Sequence, residues 1–206
     1  RLDNELVETW NIYATLVDWH LNSGDSLHSL FDANVTYERL FEPFEISPGV
    51  VLPVGEYRFT PWRIMFMSAQ KRRIHGRIGF NFGNFWSGTA KVIETALTYK
   101  VPPWFSISLN TNQTFASLPQ GDFIARIYSA QVNYAVSSFF SLSNLIQFDN
   151  RSENLGLQSR VRWTIEPGND VFFIFGQGWV QDLERGYDFR RQDSRLAMKF
   201  QYTFRF

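Results

Sequence analysis

RLAMKFQYTFRF, residues 195–206, alternates without a break. Leu196, Met198, Phe200, Tyr202, Phe204 and Phe206 are apolar or aromatic, while Arg195, Ala197, Lys199, Gln201, Thr203 and Arg205 are small or polar. Successive side chains of an extended chain point to opposite faces, so this period of two predicts a β-strand with one greasy face and one polar face. The pattern recurs upstream. Leu155, Leu157, Val161, Trp163 and Ile165 alternate with Asn154, Gln158, Arg160, Arg162 and Glu166, and Ile74, Ile78, Phe80 and Phe82 with Arg73, His75, Arg77 and Asn81. Further runs hold Ile124, Tyr128, Val132 and Tyr134, and Phe140, Leu142, Ile146 and Phe148.

Turn signals separate the runs and come in two kinds. Tight ones fall at 22–25 (NSGD), 70–72, 102–103 (PP), 137–138 and 167–169 (PGN); longer or more polar ones fall at 41–55, 87–88, 118–122, 149–153 and 182–193. The two kinds alternate, as they do when every second connection lies on the same side of a sheet. Between them the chain divides into about eleven strands of roughly 12–18 residues, against about five or six for strands of soluble sheets and about 9–11 for a strand crossing hydrocarbon. The fold expected is all-β: an antiparallel transmembrane β-barrel of the bacterial outer membrane, with residues 1–206 as one barrel domain.

Composition agrees with this and removes other classes. Of 206 residues, 44% are hydrophobic and 17% aromatic, too apolar for a disordered chain. Twenty basic and twenty acidic residues cancel, leaving no electrostatic footprint for nucleic acid. No cysteine is present, which excludes disulfides, thiolate metal sites and thiol catalysis. No apolar run reaches the roughly 18 residues that mark a spanning helix. Trp62, Trp86, Trp163 and Trp179 suit the aromatic girdles of a barrel. The closing aromatics Tyr202, Phe204 and Phe206 resemble the signal read by the outer-membrane barrel-assembly machinery.

With the last residue on the periplasmic side, the tight turns fall in the periplasm and the long 41–55 loop faces outward. The first strand, about residues 5–21, then starts outside. Bacterial single-chain barrels have even strand numbers, and an open edge in hydrocarbon leaves backbone groups unpaired. Eleven strands therefore imply completion by upstream strands or a second chain, with this chain as the C-terminal part of a larger barrel. An opening on Arg1 agrees with a mature form or a fragment.

Two long segments carry a family resemblance: TYERLFEPFEISPGVVLPVGEYRF at 36–59 and NLIQFDNRSENLGLQSRVRWTIEPGNDVFFIFGQGW at 144–179, with LPQGDF at 118–123, VNYAVS at 132–137 and FQYTFRF at 200–206. The chain resembles, over most of its length, the C-terminal outer-membrane barrel of an uncharacterised bacterial family in which the barrel follows a carbohydrate-binding module of the family-nine type. The resemblance implies an outer-membrane location and an upstream domain. It implies no activity, and no sugar-binding residue carries over.

Chemistry-bearing residues are sparse. His20, His28 and His75 show no ligand spacing, so no metal and no cofactor is expected. No Gly-x-Ser-x-Gly elbow is present, and the expectation is that the protein is not an enzyme. Glu42, Glu45, Asp149, Glu153, Asp182, Glu184 and Asp188 cluster in the longer connections, where a solvated loop is the commoner reading than a cation or sugar site. The 41–55 loop is stiffened by Pro43, Pro48 and Pro53, and Phe44, Ile46, Val50, Val51 and Leu52 give it enough apolar mass to fold over something, either capping or entering the barrel or docking a partner. Arg160, Arg162, Arg195, Lys199 and Arg205 form a candidate basic stripe facing the lumen. The competing reading of the stripe is an internal salt-bridge network with Glu166, Glu94 and Asp149.

The function expected is a pore or translocation channel for small or oligomeric solutes, saccharides being one option. The alternative is a structural anchor that holds a carbohydrate-binding module or partner at the outer membrane, and a barrel-embedded hydrolase ranks third. Expected partners are outer-membrane lipid and lipopolysaccharide.

Overall fold

The computed structural model describes residues 6–12, 15, 17–28, 35–182 and 188–204. Among these there is no helix and there are sixteen strands. They are β1 (Thr9–Ile12), β2 (Asp18–His20), β3 (Ser26–His28), β4 (Val35–Leu40), β5 (Phe44–Ser47), β6 (Val50–Leu52), β7 (Gly55–Phe59) and β8 (Pro61–Met67). The longer ones follow: β9 (Ile74–Phe85), β10 (Gly88–Val101), β11 (Phe105–Leu118), β12 (Gly121–Ala135), β13 (Phe140–Asp149), β14 (Asn154–Glu166), β15 (Asn169–Asp182) and β16 (Asp188–Gln201). Eleven join one sheet in the order β16-β15-β14-β13-β12-β11-β10-β9-β8-β3-β2, a succession of antiparallel neighbours. The edges are β16 and β2, and no ladder joins them among the described residues. The last eight strands hold 10 to 15 residues each, somewhat shorter than the roughly 12–18 expected.

The other five strands correct the sequence-based division. The expected first strand at 5–21 is two strands in two sheets: β1 pairs with β4 in a three-stranded sheet β1-β4-β7, and β2 pairs with β3 in the large one. Cross-strand contacts hold β1 there. Trp10 stacks on Tyr37 at 5.8 Å, Thr9 Oγ1 donates to Glu38 Oε2 at 2.7 Å, and the Arg58 guanidinium lies over the Trp10 ring.

The 41–55 segment is not a loop but mostly strand. β5 and β6 form a hairpin through Gly49, which adopts φ +78°, where a side chain is disfavoured, and its amide donates to Glu45 Oε1 at 2.8 Å. The other connections on the expected outer side are short as well, with two residues between β9 and β10 and two between β11 and β12. β16 begins at Asp188, so the expected 182–193 connection is five residues long and lies outside the described residues. Tight turns need fewer polar residues than the charge density of these segments suggests, because charged side chains also occupy strand ends.

The chain divides into two compact units, residues 1–95 with 111–126 and residues 96–110 with 127–206. The first has a small dry core. Val50, Leu52 and Leu118 are buried against Leu40, Ile46, Tyr57, Phe85, Trp86 and Phe123, and Trp86 meets Tyr57 edge-on at 5.2 Å. Two of its turns also meet: Asp25, after the 22–25 turn, accepts from the Ala69 amide at 2.8 Å and from Arg72 Nη2 at 2.8 Å. In the second unit the connections at 102–104, 136–139 and 167–168 gather at one end, where the Ala135 amide donates to Trp104 O and the Thr164 amide to Phe139 O.

Candidate functional site

Registers sort the strands of the second unit into two faces. On one, Phe140 lies opposite Trp163, Leu142 opposite Val161 and Ile146 opposite Leu157; next come Val161 opposite Phe173 and Ser159 opposite Phe175, and then Phe173 opposite Met198 and Phe175 opposite Leu196. Much of this apolar face is open to the surroundings: Leu196 is 80% exposed and Phe200 66%, with Ile146, Trp163, Phe173, Phe175 and Met198 also exposed. In the first unit Trp62, Phe66, Ile78 and Phe80 do the same on β8 and β9.

The opposite face is polar. In the second unit Asn133 Nδ2 donates to Ser106 Oγ at 3.1 Å and Ser143 Oγ to Asn133 Oδ1 at 2.7 Å, a cross-strand chain of neutral groups. In the first unit Glu94 accepts from Arg63 Nη2 at 3.1 Å and from Asn81 Nδ2 at 3.0 Å.

Four of the five residues of the expected basic stripe share one face. Arg162 lies opposite Phe172, which lies opposite Lys199, and Gln158 opposite Gly176, which lies opposite Arg195; Arg160 occupies the intervening row. β14 and β16 are two ladder spacings apart, about 10 Å. Phe172 and Ile174 sit between the two columns on the same face, an apolar strip that the run 171–175 (VFFIF) contains but that alternation alone does not assign.

The charges divide. Arg162 is neutralised by Asp170, Arg195 is 3.8 Å from Asp193, and Arg160 and Lys199 pair with no carboxylate among the described residues. Arg205 lies outside the described residues. None of the three expected counter-ions serves the stripe among the described residues: Asp149 accepts from the Arg151 amide and Ser152 Oγ within its own turn, Glu94 lies in the first unit and holds Arg63, and Glu166 makes no ion pair with the stripe.

Of the apolar residues in the 41–55 segment, Val50 and Leu52 are buried, Ile46 is half-buried, and Phe44 and Val51 are exposed. Of the closing aromatics, Tyr202 and Phe204 are exposed and meet edge-on at 4.7 Å. They lie beyond the ladder, whose last pair is Asp170 with Gln201; the Thr203 amide, between the two aromatics, donates to Asn169 Oδ1 at 3.0 Å. Phe206 lies outside the described residues.

A second constellation went unseen in the sequence. The β2–β3 hairpin pairs Asp18 with His28 and His20 with Ser26, and β3 pairs Ser26 with Met67 and His28 with Met65, which puts all four on the polar face. His28 Nδ1 is 2.7 Å and His20 Nε2 3.1 Å from the same carboxylate oxygen, Asp18 Oδ1. His28 Nε2 is 2.9 Å from the hydroxyl of Ser26, which is buried, and the two imidazoles meet edge-on at 5.4 Å. Searching for ligand spacing along one strand or helix misses this. Pairing residues outward from the 22–25 turn finds it.

Compared with known protein families, with curated proteins and with solved structures, the chain matches none.

Proposed function

We propose that the chain is a wall of an outer-membrane β-barrel, its apolar face toward lipid and its polar face lining a passage for small or oligomeric solutes. One observation carries this reading: in the second unit β13 to β16, of 10 to 14 residues, present an exposed apolar face backed by a polar one that hydrogen-bonds across strands. Monomeric soluble proteins rarely expose apolar patches above a few hundred Å². A lipid-facing sheet does so by necessity. The unpaired edges β2 and β16 would be closed by pairing with each other, with further strands or with a second chain, since unpaired backbone groups in hydrocarbon cost several kcal/mol each. Arg160 and Lys199, which pair with no carboxylate among the described residues, would bias the passage toward anionic solutes.

The test is reconstitution of the protein in liposomes whose lipids carry bromine at defined depths, beside planar-bilayer conductance. Quenching of tryptophan fluorescence by mid-depth bromines with steady conductance supports the channel. Quenching without conductance makes the protein an anchor for an upstream module or a partner, and absence of quenching overturns the membrane reading.

A further inference from the structure

We propose that Asp18, His20 and His28 form a binding site for a divalent transition-metal ion of the zinc class. The proposal is independent of the membrane reading, since it rests on the β2–β3 hairpin alone. Two imidazoles and one carboxylate are a ligand set that zinc takes readily, leaving a further position for water. Their ligand atoms lie within 4.8 Å of one another. Bonds of about 2.0–2.2 Å to nitrogen and oxygen place neighbouring ligands of a tetrahedral zinc about 3.3 Å apart. The separations from Asp18 Oδ1, 3.1 Å for His20 Nε2 and 2.7 Å for His28 Nδ1, need to open by about 0.2 and 0.6 Å.

The surroundings suit an ion too. A ligating histidine usually has its other ring nitrogen held by a hydrogen-bond partner, which sets the tautomer. Ser26 Oγ does this for His28 Nε2. Without an ion, Nδ1–H of His28 donates to Asp18 and Nε2 accepts from the Ser26 hydroxyl. With an ion, Nδ1 gives its lone pair to the metal, the ring proton sits on Nε2, and the hydroxyl turns to accept it, so both states of the ring are satisfied. The ligands are reachable: the His20 side chain is 67% exposed and that of Asp18 50%. An ion here would tie together two three-residue strands at the edge of the sheet.

The same atoms also read as a Ser–His–Asp relay, with Ser26 as the nucleophile. The geometry favours the metal. Ser26 is the most buried member of the group, and a relay has no use for a second imidazole on the carboxylate.

The experiment titrates the full chain in detergent with Zn²⁺ by calorimetry, and with Co²⁺ as a coloured substitute. One ion per chain is expected, with binding weakened more than about tenfold in His20→Ala, His28→Ala and Asp18→Asn, about tenfold in Ser26→Ala, and unchanged in His75→Ala. His20 is exposed enough that its removal leaves the hairpin packing intact, so a loss there reports ligation. Binding that is absent, or equally tight in His20→Ala and His28→Ala, overturns the proposal. So does labelling of Ser26 by a fluorophosphonate that requires His28 and Asp18 but is indifferent to His20 and to zinc, which would make the cluster a nucleophilic site.

Discussion

Asp170, at the start of β15, is gripped by Arg162 on β14 through two parallel hydrogen bonds, Nε to Oδ1 at 3.0 Å and Nη2 to Oδ2 at 2.9 Å, while Thr164 Oγ1 donates to the same carboxylate. The Asp170 side chain is 6% exposed and that of Arg162 52%, so the pair is lopsided: removing the arginine strands a carboxylate shut away from water, whereas removing the acid frees an arginine that water reaches. Arg162→Ala is therefore expected to lower the thermal midpoint more than Asp170→Asn. Restoration of much of the loss in the double variant, read from the same melting curves, would isolate the stranded charge as the cause.

The β5–β6 hairpin has one side chain with no exposure at all, Leu52. Leu52→Ala opens a cavity against Val50 and Leu118 and is expected to cost about 2–5 kcal/mol. Its exposed neighbour Val51→Ser should stay within about 0.5 kcal/mol. Denaturant titrations of the two variants, followed by tryptophan emission because Trp86 packs on this core, make the comparison.

Acid should loosen the contact between the 22–25 and 69–73 turns. Hydrogen bonds from Arg72, Ser23 and the Ala69 amide hold the Asp25 carboxyl well below its ordinary value of 3.8. A carboxylate depressed in the folded state contributes stability that is complete above the unfolded value and lost as pH falls below it. Exchange of the Ala69 amide proton is expected to accelerate as pH drops below 3.8, relative to the intrinsic rate. In Asp25→Asn that acid step should vanish and the amide be less protected at neutral pH.

On the membrane reading, the two faces of β16 respond oppositely to charge. Leu196→Arg puts a cation on the exposed apolar face beside Phe175, near the middle of both strands, at an expected cost of about 2–4 kcal/mol. Lys199→Ala, on the polar face of the same strand, should insert normally. Arg160→Glu with Lys199→Glu should insert and shift ion selectivity toward cations. Liposome insertion yields and reversal potentials measure these outcomes.

Gly88 opens β10, and a Cβ there would stand only 2.1 Å from the Ser117 carbonyl oxygen of β11. Gly88→Ala is expected to break the ladder at that end and destabilise the first unit, visible as faster amide exchange near Ser117. The same change at Gly55, whose Cβ would meet nothing closer than 4.0 Å, should be tolerated.

Much of this was legible in the alternation. Residues 154–166 and 195–201 show which side chains share a face, and the ladders keep Arg160, Arg162, Arg195 and Lys199 together as that pattern requires. The assignment of β1 and β2 to different sheets was not legible, because Thr9–Ile12 and Asp18–His20 alternate alike yet pair with different partners. Nor was the β5–β6 hairpin, since its prolines and charged residues read as a loop until Val50 and Leu52 are seen to find Leu118 across the unit.

The class of structure follows from the order of side chains alone: long strands, period two, one apolar and one polar face. That information is local, because it follows from the geometry of an extended chain. It took the folded chain to show that Arg162 finds Asp170 and not Glu166, that Glu94 serves Arg63, and that His20 and His28 meet on one carboxylate oxygen of Asp18. Those neighbours depend on register. Period two assigns each residue a face, but a shift of two residues preserves every face and changes every neighbour.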